Sequence, residues 1–399
     1  MKLEVSGNEI KVPEKNHEHV SETVMHYGTK NRYCDTDKWG LKMRDLNFDD
    51  IEEPYKCSGC GVCFLECPIY EHSPCESAGA KGKMEAMKLW DSGCIRLEDI
   101  QNIFELCTLC KRCENVCTQE IKTSKLIRNM RRYLIQNGIS NQKSNEIKEC
   151  MLERGHPYRE ENPSFKSLPE WYENKDTETA LWVGCSTRHM GLLEQWLKIL
   201  IGLNHRPTLL SEEKCCGSIL KNMGYDDEFK NIMQKNVKDL SGFKRIITLC
   251  PSCYTTFKNE PKIKGKVMFI TELLDKNKQK FHVSKSLEEP LMLFEPCHLK
   301  NYEPWMDASN VIREILEKNK IRYFMSSDLY GAKCCGGGGG MLANHSDISR
   351  NRASQLVNDA QKSYNIKTVV TMCPFCNNVF NQADNKGVKV LDLGAILCI

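Results

Sequence analysis

Most of the 23 cysteines in this sequence lie in tight groups with the spacing of metal ligands. Two groups, "CSGCGVCFLEC" and "CTLCKRCENVC", have the C-x2-C-x2-C-x3-C spacing of bacterial ferredoxins. In those proteins three neighbouring thiolates bind one 4Fe-4S cubane, and the fourth binds the other cubane. This rule assigns Cys57, Cys60, Cys63 and Cys117 to one cubane, and Cys107, Cys110, Cys113 and Cys67 to the other.

Zinc ribbons are the alternative explanation for these two groups. Structural zinc takes four tetrahedral ligands, usually from two separated pairs rather than from one short run of four cysteines. A chain of this length needs no disulfide framework, and a cytosolic compartment would keep its thiols reduced. The two groups therefore predict two cubane 4Fe-4S clusters.

The other grouped cysteines form an internal duplication. In each copy a lone cysteine ends an apolar run, an adjacent pair follows, and a Cys-Pro-x-Cys motif completes the set. The first copy contains "ALWVGC", "KCCGS" and "RIITLCPSCYTTF", and the second contains "LMLFEPC", "KCCGG" and "TVVTMCPFCNNVF". Five thiolates are too many for tetrahedral zinc, and an adjacent pair cannot easily chelate one small ion. A larger iron-sulfur cluster fits each set better.

Secondary structure must place these cysteines. Apolar and β-branched runs precede the lone cysteines and the Cys-Pro-x-Cys motifs, which predicts buried strands with a cysteine at their carboxyl ends. Amphipathic segments such as "DEFKNIMQKNVKDL" and "ASNVIREILEKN" predict helices between the strands. Each copy is then an α/β unit with its ligands at the carboxyl edge of the sheet.

The ferredoxin unit has a helical rather than a strand pattern. The segment "KGKMEAMKLW" has helical spacing, and Leu126, Met130 and Leu134 recur at every fourth position before Gly138, which can end a helix. The predicted fold class is therefore mixed, with a helical two-cubane ferredoxin domain followed by two tandem pseudo-symmetric α/β Cys-Cys-Gly domains. The predicted units are an N-terminal extension at 1–50, the ferredoxin domain at 51–140, a linker at 141–178, the first Cys-Cys-Gly domain at 179–285 and the second at 286–399.

Together, these motifs resemble the D subunit of heterodisulfide reductase, a family that fuses what are separate B and C subunits in other forms of the enzyme. The resemblance covers about residues 51–399. It implies that each five-cysteine set binds a noncubane 4Fe-4S cluster. It also implies that the two noncubane clusters, supplied through the two cubanes, reduce the mixed disulfide of coenzyme M and coenzyme B, a step of methanogenesis. The implied ligands are Cys185, Cys215, Cys216, Cys250 and Cys253 for one noncubane cluster, and Cys297, Cys334, Cys335, Cys373 and Cys376 for the other.

Basic residues repeat beside both five-cysteine sets. A lysine precedes each cysteine pair, and a cation follows each lone cysteine by three residues. An anionic substrate or thiolate cluster favours such cations, although surface lysines commonly only face solvent. A histidine near each lone cysteine could protonate a leaving thiolate, although histidines that only pack are commoner. The candidate substrate-binding residues are Lys214, Lys333, Arg188, Lys300, His189 and His298.

Five consecutive glycines, Gly336 to Gly340, follow the second cysteine pair. The run lacks the context of a dinucleotide-binding or phosphate-binding loop. A flexible linker is also a poor explanation, because the run begins inside a motif whose first copy stops after one glycine. We expect these glycines to line the second cluster, with amide groups directed at sulfur and with room for substrate.

Charge and composition narrow the choice of partners. A formal net charge of +3, with basic residues scattered among acidic ones, does not indicate nucleic-acid binding. No signal peptide or transmembrane segment is evident, so we expect a cytoplasmic protein that meets a membrane only through a partner. Because no flavin or nicotinamide motif is visible, the electrons for a small-molecule disulfide must come from a redox subunit. That subunit is either a haem-containing membrane subunit or a soluble flavoprotein.

Two other functions share these motifs. One is an electron-transfer iron-sulfur subunit without substrate chemistry, as in glycolate, lactate or glycerol-3-phosphate oxidoreductases. The other is a subunit of a membrane redox complex of sulfate reducers, in which only one Cys-Cys-Gly set is complete. Two complete five-cysteine sets favour the reductase, because an electron relay does not need two clusters that face a substrate.

Overall fold

A computed structural model describes residues 52–73, 75–159 and 168–399. The predicted N-terminal extension at 1–50 lies outside the described residues. The described chain forms a helical region that precedes two α/β regions, each built on a parallel sheet. This agrees with the expected order of one helical and two α/β units.

The helical region carries both ferredoxin-type motifs. Helix α5 buries Leu126, Met130 and Leu134 on one face and ends before Gly138, whose φ is +75°. The region contains α1 (Val62–Leu65), α2 (Ala80–Asp91), α3 (Gln101–Glu105), α4 (Arg112–Asn115) and α5 (Thr123–Gln136), with 3-10 turns at Glu53–Lys56, Glu76–Ala78 and Glu98–Ile100. Its own apolar core forms mainly between α2, α3 and α5.

The predicted linker at 141–178 is not simply an extended connection. It contains helix α6 (Gln142–Arg154), which begins where the Asn141 side chain accepts a hydrogen bond from the amide of Ser144. The helix ends at Gly155, which has a φ of +78°. The carbonyl of Gly155 accepts a hydrogen bond from the amide of Cys215 at 2.7 Å, so this segment is fastened beside the first cysteine pair.

The first α/β region contains a four-stranded parallel sheet with the order β2-β1-β3-β4. Its strands are largely buried, as expected for a parallel sheet covered by helices. The elements are β1 (Thr179–Trp182), α7 (Cys185–His189), α8 (Leu193–Gly202), β2 (Thr208–Leu209), α9 (Ser218–Met223), α10 (Asp226–Leu240), β3 (Arg245–Thr248), α11 (Pro251–Lys258), β4 (Val267–Phe269), α12 (Ile270–Asp275) and β5 (His282–Val283), with 3-10 turns at Lys264–Lys266 and Lys278–Lys280.

The second α/β region repeats this topology. Its four parallel strands have the order β7-β6-β8-β9, so corresponding strands occupy corresponding places in the two sheets. The elements are β6 (Leu291–Phe294), α13 (Cys297–Lys300), α14 (Asn310–Lys318), β7 (Tyr323–Met325), α15 (Met341–Asn344), α16 (Ser346–Tyr364), β8 (Thr368–Thr371), α17 (Pro374–Asn381), β9 (Lys389–Asp392), α18 (Leu393–Ile396) and β10 (Leu397–Cys398).

The end of the chain returns to the first α/β region. Strand β10 pairs antiparallel with β5, with Leu397 opposite Val283. Gly394 of α18 lies so close to the Trp196 ring that a Cβ atom there would be 2.9 Å from it. The C-terminal end of the second α/β region therefore packs on the first α/β region. None of the helices in the described ranges is long and apolar enough to cross a membrane.

Candidate iron-sulfur site

Strand ends and helix starts place the cysteines of both five-cysteine sets. Cys185 and Cys297 are the first residues of α7 and α13, just after β1 and β6. Cys250 and Cys373 directly precede α11 and α17, and in each case the next residue is the proline that begins the helix. Proline suits the first helical position because its fixed φ matches the helix and its missing N–H has no intrahelical partner there. The duplicated Cys-Pro-x-Cys motif is thus a strand-to-helix turn.

The first set draws its five cysteines together at the carboxyl edge of the sheet. The Cys185 and Cys215 sulfurs are 3.5 Å apart. The thiols of Cys216 and then Cys250 hydrogen-bond with Cys253 and raise its pKa well above the usual range. Gly184, at a φ of +84°, leaves the space next to this group, since a Cβ atom there would lie 3.4 Å from the Cys253 sulfur.

The second set is assembled in the same way. The pKa of the Cys297 thiol is raised well above its usual range, first by its hydrogen bond with Cys334 and then by burial. The thiols of Cys335 and then Cys373 raise the pKa of Cys376 in the same manner. The amide of Gly336 donates to the Cys334 sulfur at 3.4 Å, and the amide of Cys376 donates to the Cys373 sulfur at 3.3 Å. Such N–H groups stabilise a thiolate.

The two sets meet each other. Cys250 of the first set hydrogen-bonds with Cys373 of the second, and this contact is the main cause that raises the pKa of the Cys373 thiol well above its usual range. Two helix pairs also connect the regions that carry Cys250 and Cys373, since α11 packs on α13 and α17 packs on α7. Each of these pairs joins a Cys-Pro-x-Cys helix of one region to the lone-cysteine helix of the other.

Cysteines from both ferredoxin-type motifs lie around one cavity. This cavity is lined by Cys67 from the first motif together with Cys107, Cys110 and Cys113 from the second. Burial raises the pKa of the Cys113 thiol well above its usual range, and the nearby Cys110, Cys107 and Cys67 raise it further. Four converging thiols around one cavity are a suitable ligand set for a 4Fe-4S cluster. The described residues contain no group of three or more Cys, His, Asp or Glu side chains placed as ligands of a single ion.

The other predicted cubane site, with Cys57, Cys60, Cys63 and Cys117, has one exposed cysteine. Cys60 is exposed, whereas Cys57, Cys63 and Cys117 are half-buried. Burial raises the pKa of the Cys63 thiol, and Cys57 is the first of the neighbouring thiols that raise it further. Helices α1 and α4, which belong to the two motifs, pack on each other.

A direct sulfur contact links the helical region to the second five-cysteine set. The thiol of Cys334 raises the pKa of Cys110 well above its usual range, ahead of burial. The Asn301 side chain supports this contact, since it donates to the carbonyls of Cys110 at 2.8 Å and Ala332 at 3.1 Å. The Tyr302 hydroxyl donates to the carbonyl of Leu109 at 2.6 Å. The cavity lined by Cys67, Cys107, Cys110 and Cys113 and the second five-cysteine set are therefore immediate neighbours.

Of the predicted cations, two are held by buried carboxylates. Arg188 is buried and lies 3.7 Å from Glu213, which also accepts hydrogen bonds from the amides of Val183 and Gly184. Lys300 lies 3.9 Å from the buried carboxylate of Glu295. These pairings account for both charges within the protein.

The two predicted lysines beside the cysteine pairs are half-buried. The aliphatic part of Lys214 packs against Gly155, where a Cβ atom would approach the lysine Cγ to 2.7 Å. Burial raises the pKa of the Asp328 carboxyl, but Arg112 outweighs this and the pKa is lowered. Lys333 is close enough to Asp328 to contribute to this lowering.

Each predicted histidine stacks on a tyrosine. The rings of His189 and Tyr158 are 3.8 Å apart, and those of His298 and Tyr302 are 4.8 Å apart. Burial lowers the pKa of His298 to about 4, and its Nδ1 lies 3.3 Å from the Ser252 hydroxyl. The two tyrosines were not singled out from the sequence, because they lie outside the cysteine motifs and belong to no repeat.

Protein atoms occupy the space that a side chain would need at the middle of the glycine run. A Cβ atom on Gly337 would lie 2.4 Å from Val379, one on Gly338 would lie 2.7 Å from the Thr108 carbonyl, and one on Gly339 would lie 2.4 Å from the Cys107 carbonyl. On the Cβ side of these three glycines, the predicted room for substrate is therefore filled. The glycines instead let the second α/β region approach the backbone of the second ferredoxin motif.

Comparison with known proteins agrees with this organisation. A family model described as a cysteine-rich domain matches residues 179–258 and 291–381, and a model of a 4Fe-4S dicluster domain matches residues 53–121. The chain is 24% identical to the D subunit of the dihydromethanophenazine:CoB–CoM heterodisulfide reductase of Methanosarcina mazei, over 88% of this chain and 94% of that protein.

Two further relatives carry other names. One is the B subunit of the fumarate reductase (CoM/CoB) of Methanothermobacter marburgensis, 23% identical over 92% of this chain and 76% of that protein. Another is the EtfAB:quinone oxidoreductase of Syntrophomonas wolfei, 27% identical over 58% of this chain and 35% of that protein. Similarity to this chain thus extends to oxidoreductases with different substrates.

Proposed function

We propose that this chain is the catalytic iron-sulfur subunit of a disulfide reductase. It joins a 4Fe-4S dicluster domain to two cysteine-rich domains, and it is similar over most of its length to the D subunit of heterodisulfide reductase. Its substrate is an unsymmetrical small-molecule disulfide of the CoM-S-S-CoB type. Two electrons and two protons enter the reaction, the sulfur–sulfur bond breaks, and two thiols leave.

One observation carries this proposal: the two five-cysteine sets meet at Cys250 and Cys373. A disulfide has two sulfur atoms, each of which takes up one electron and one proton when the bond is reduced to two thiols. Two adjacent sets, in two α/β regions with the same strand order, would offer one cluster to each sulfur. A chain that only relays electrons has no need for two complete sets in contact.

The residues would hold the cofactors as follows. The five cysteines of each α/β region would bind one noncubane 4Fe-4S cluster, and the eight cysteines of the helical region would bind two cubanes, divided as the crossing rule states. When bound, such clusters supply electrons one at a time. The protein contributes rigid strand ends, amide N–H groups directed at thiolates and exclusion of water, since nine of the ten cysteines in the two five-cysteine sets are buried.

Access to the site and proton supply follow from the same geometry. Cys185 is half-buried whereas the other nine cysteines of the two sets are buried, so substrate would approach from the side of Cys185, Tyr158 and His189. His298 is neutral at neutral pH because burial lowers its pKa to about 4. It is therefore a poor acid for protonating a leaving thiolate at neutral pH.

Turnover by anaerobically purified protein tests the proposal. Reduced viologen would donate electrons, CoM-S-S-CoB would be the substrate, and the thiols formed would be counted. We expect turnover by the wild type and loss of nearly all of it in Cys216→Ala and Cys335→Ala. Cys398→Ala is the matched control, because Cys398 is exposed and lies outside every motif.

The similarity to EtfAB:quinone oxidoreductase favours one second candidate, an electron-transfer subunit without disulfide chemistry. In that case viologen would reduce the clusters, but added disulfide would not reoxidise them. Absence of thiol formation in protein with full iron content would reject the reductase in favour of this candidate.

A further inference from the structure

Five lysine or arginine side chains are buried in the described part of the chain, and they fall into two classes. Three of them form ion pairs with carboxylates: Arg112 with Glu66 and Asp328, Arg188 with Glu213, and Arg352 with Glu71. The other two, Lys83 and Arg131, are 1% and 4% exposed and hydrogen-bond to backbone carbonyls. A buried charge is costly unless an opposite charge lies near it.

Lys83 lies on the buried face of α2. Its ammonium group donates to the carbonyl of Ser77 at 3.0 Å and to that of Ala78. It also lines the cavity that Cys67, Cys107, Cys110 and Cys113 surround. The lysine is therefore fixed at the wall of the second ferredoxin-type site.

Arg131 approaches the same site from α5. Its Nη2 donates to the carbonyl of Cys107 at 2.8 Å and to that of Glu105 at 3.1 Å. Its other donors reach Phe104 and, outside the helical region, Asn222 and Gly339. The Glu105 carboxylate accepts a hydrogen bond from Gln101 at 2.9 Å and lies 4.0 Å from His345.

Both cations lie beside the Cys107 site, since Lys83 lines the same cavity as Cys107 and Arg131 donates to the Cys107 carbonyl. Positive charge at this wall favours negative charge in the cavity. A 4Fe-4S cubane with four thiolate ligands carries net negative charge, which becomes greater on reduction.

We propose that Lys83 and Arg131 are the counter-charges of the cubane bound by Cys67, Cys107, Cys110 and Cys113, and that they raise its reduction potential above that of the other cubane. The two sites differ in exposure at one ligand, since Cys60 of the other site is exposed whereas Cys110 of this site is buried, and the remaining three cysteines of each site are half-buried. Water and ions therefore screen the surroundings of the other site more strongly. Electrons then move downhill from the solvent-facing cubane to the buried one. The site of Cys67, Cys107, Cys110 and Cys113 is also the one that contacts the second five-cysteine set, through Cys110 and Cys334.

This inference rests on the cluster content proposed for the helical region and not on the disulfide substrate. It is tested by redox titration of the holoprotein, monitored by electron paramagnetic resonance, with iron content measured on each sample. Cys60→Ser identifies the signal of the solvent-facing cubane. In the wild type we expect the other cubane to be reduced first.

Lys83→Met should make the buried cubane harder to reduce and leave the solvent-facing one unchanged. A buried unit charge at close range shifts the equilibrium constant for electron exchange between the two cubanes by roughly tenfold or more, which is about 59 mV for one electron. Lys88→Met is the control on the same helix, because Lys88 forms a surface pair with Glu85 at 3.5 Å.

Two results would overturn the proposal. One is a Lys83→Met shift no larger than that of Lys88→Met in protein with full iron content. The other is reduction of the solvent-facing cubane first in the wild type, a result that decides the matter even if Lys83→Met fails to bind iron. Neither result depends on disulfide turnover, so failure here is distinct from failure of the reductase proposal.

Discussion

Replacing Gly339 with alanine should push the second α/β region away from the second ferredoxin-type motif, which contains Cys107. Gly339 has a φ of +61°, and a Cβ atom there would lie 2.4 Å from the carbonyl oxygen of Cys107 and 3.0 Å from the Thr108 carbonyl carbon. Ordinary contact begins at 3.4 Å, so the backbones must separate by about 1 Å. Because the obstructing atoms are backbone, no side-chain rotation can relieve the clash.

Two costs combine in this variant. A left-handed φ at a residue other than glycine costs about 1–2 kcal/mol, and forced overpacking costs about 1–3 kcal/mol more. Movement of Gly339 also disturbs the carbonyl that Arg131 holds at 2.7 Å. We therefore expect Gly339→Ala to lower the free energy of unfolding by about 2–5 kcal/mol.

Gly387→Ala separates the two costs. Gly387 also has a positive φ, +83°, but no atom lies within 4 Å of the position where its Cβ would be. It should lose only the backbone part, about 1–2 kcal/mol. The assay is urea unfolding of anaerobic holoprotein, followed by loss of cluster absorbance and of far-ultraviolet circular dichroism. Equal destabilisation by the two substitutions would refute the idea that Gly339 is required for contact with Cys107.

Two further substitutions test buried charges. Burial raises the pKa of Asp392 to about 7, from an ordinary value of 3.8. Because the folded state holds the proton more tightly than the unfolded state, the free energy of unfolding should fall as the pH rises between these two values. Asp392→Asn keeps an acceptor for the Gly394 amide, so it should remove this slope. At pH 8 it should stabilise the protein by on the order of 4 kcal/mol, the free energy that corresponds to raising the pKa from 3.8 to about 7. The measurement is the urea midpoint, with the exposed Asp384→Asn as the control. Arg112→Gln should cost about 3–5 kcal/mol because it leaves the carboxylates of two regions without their buried partner, and an unchanged urea midpoint would show that its contacts with Glu66 and Asp328 do not hold those regions together.

Local patterns in the sequence predicted the elements that deliver the cysteines. The β-branched run before Cys250 and the proline after it specify a buried strand followed at once by a helix, and the structure has β3 and α11 at these positions. The helix through Leu126, Met130 and Leu134 was predicted for the same reason, because its apolar residues keep to one face. Spacing of this kind is readable without knowledge of the rest of the chain.

Contacts between regions could not be predicted in that way. The glycine run was expected to line the second cluster, and the amide of Gly336 does donate to the Cys334 sulfur. Its contacts with Thr108 and Cys107, which lie far earlier in the chain, were not predicted. The pairing of β10 with β5 was missed because two-residue strands carry almost no pattern.

One signal in the sequence could have identified the counter-charges. Lys83 is followed by Met87 and Trp90, so it occupies an apolar position of the α2 pattern, and Arg131 likewise lies between Ile127 and Leu134 on α5. A cation at such a position must be buried with a partner or turn outward. Here two such cations converge beside Cys107, which is a more specific indication of an anionic centre than either residue alone.

Arg131 connects the chemistry of the site to the assembly of the chain. Its guanidinium binds the Cys107 carbonyl of the helical region, the Asn222 carbonyl of the first α/β region and the Gly339 carbonyl of the second. The positive charge needed beside a buried anionic cluster is therefore also what fastens all three regions at one point. Because a guanidinium has five fixed donors, it can hold three backbones at once, which a lysine at this position could not do with the same geometry. Burial lowers the pKa of Arg131, and Cys107 followed by Glu105 are the negative charges that raise it. Loss of the negative charge at the Cys107 site would remove the first of these, so the docking of the three regions should depend on that site being charged.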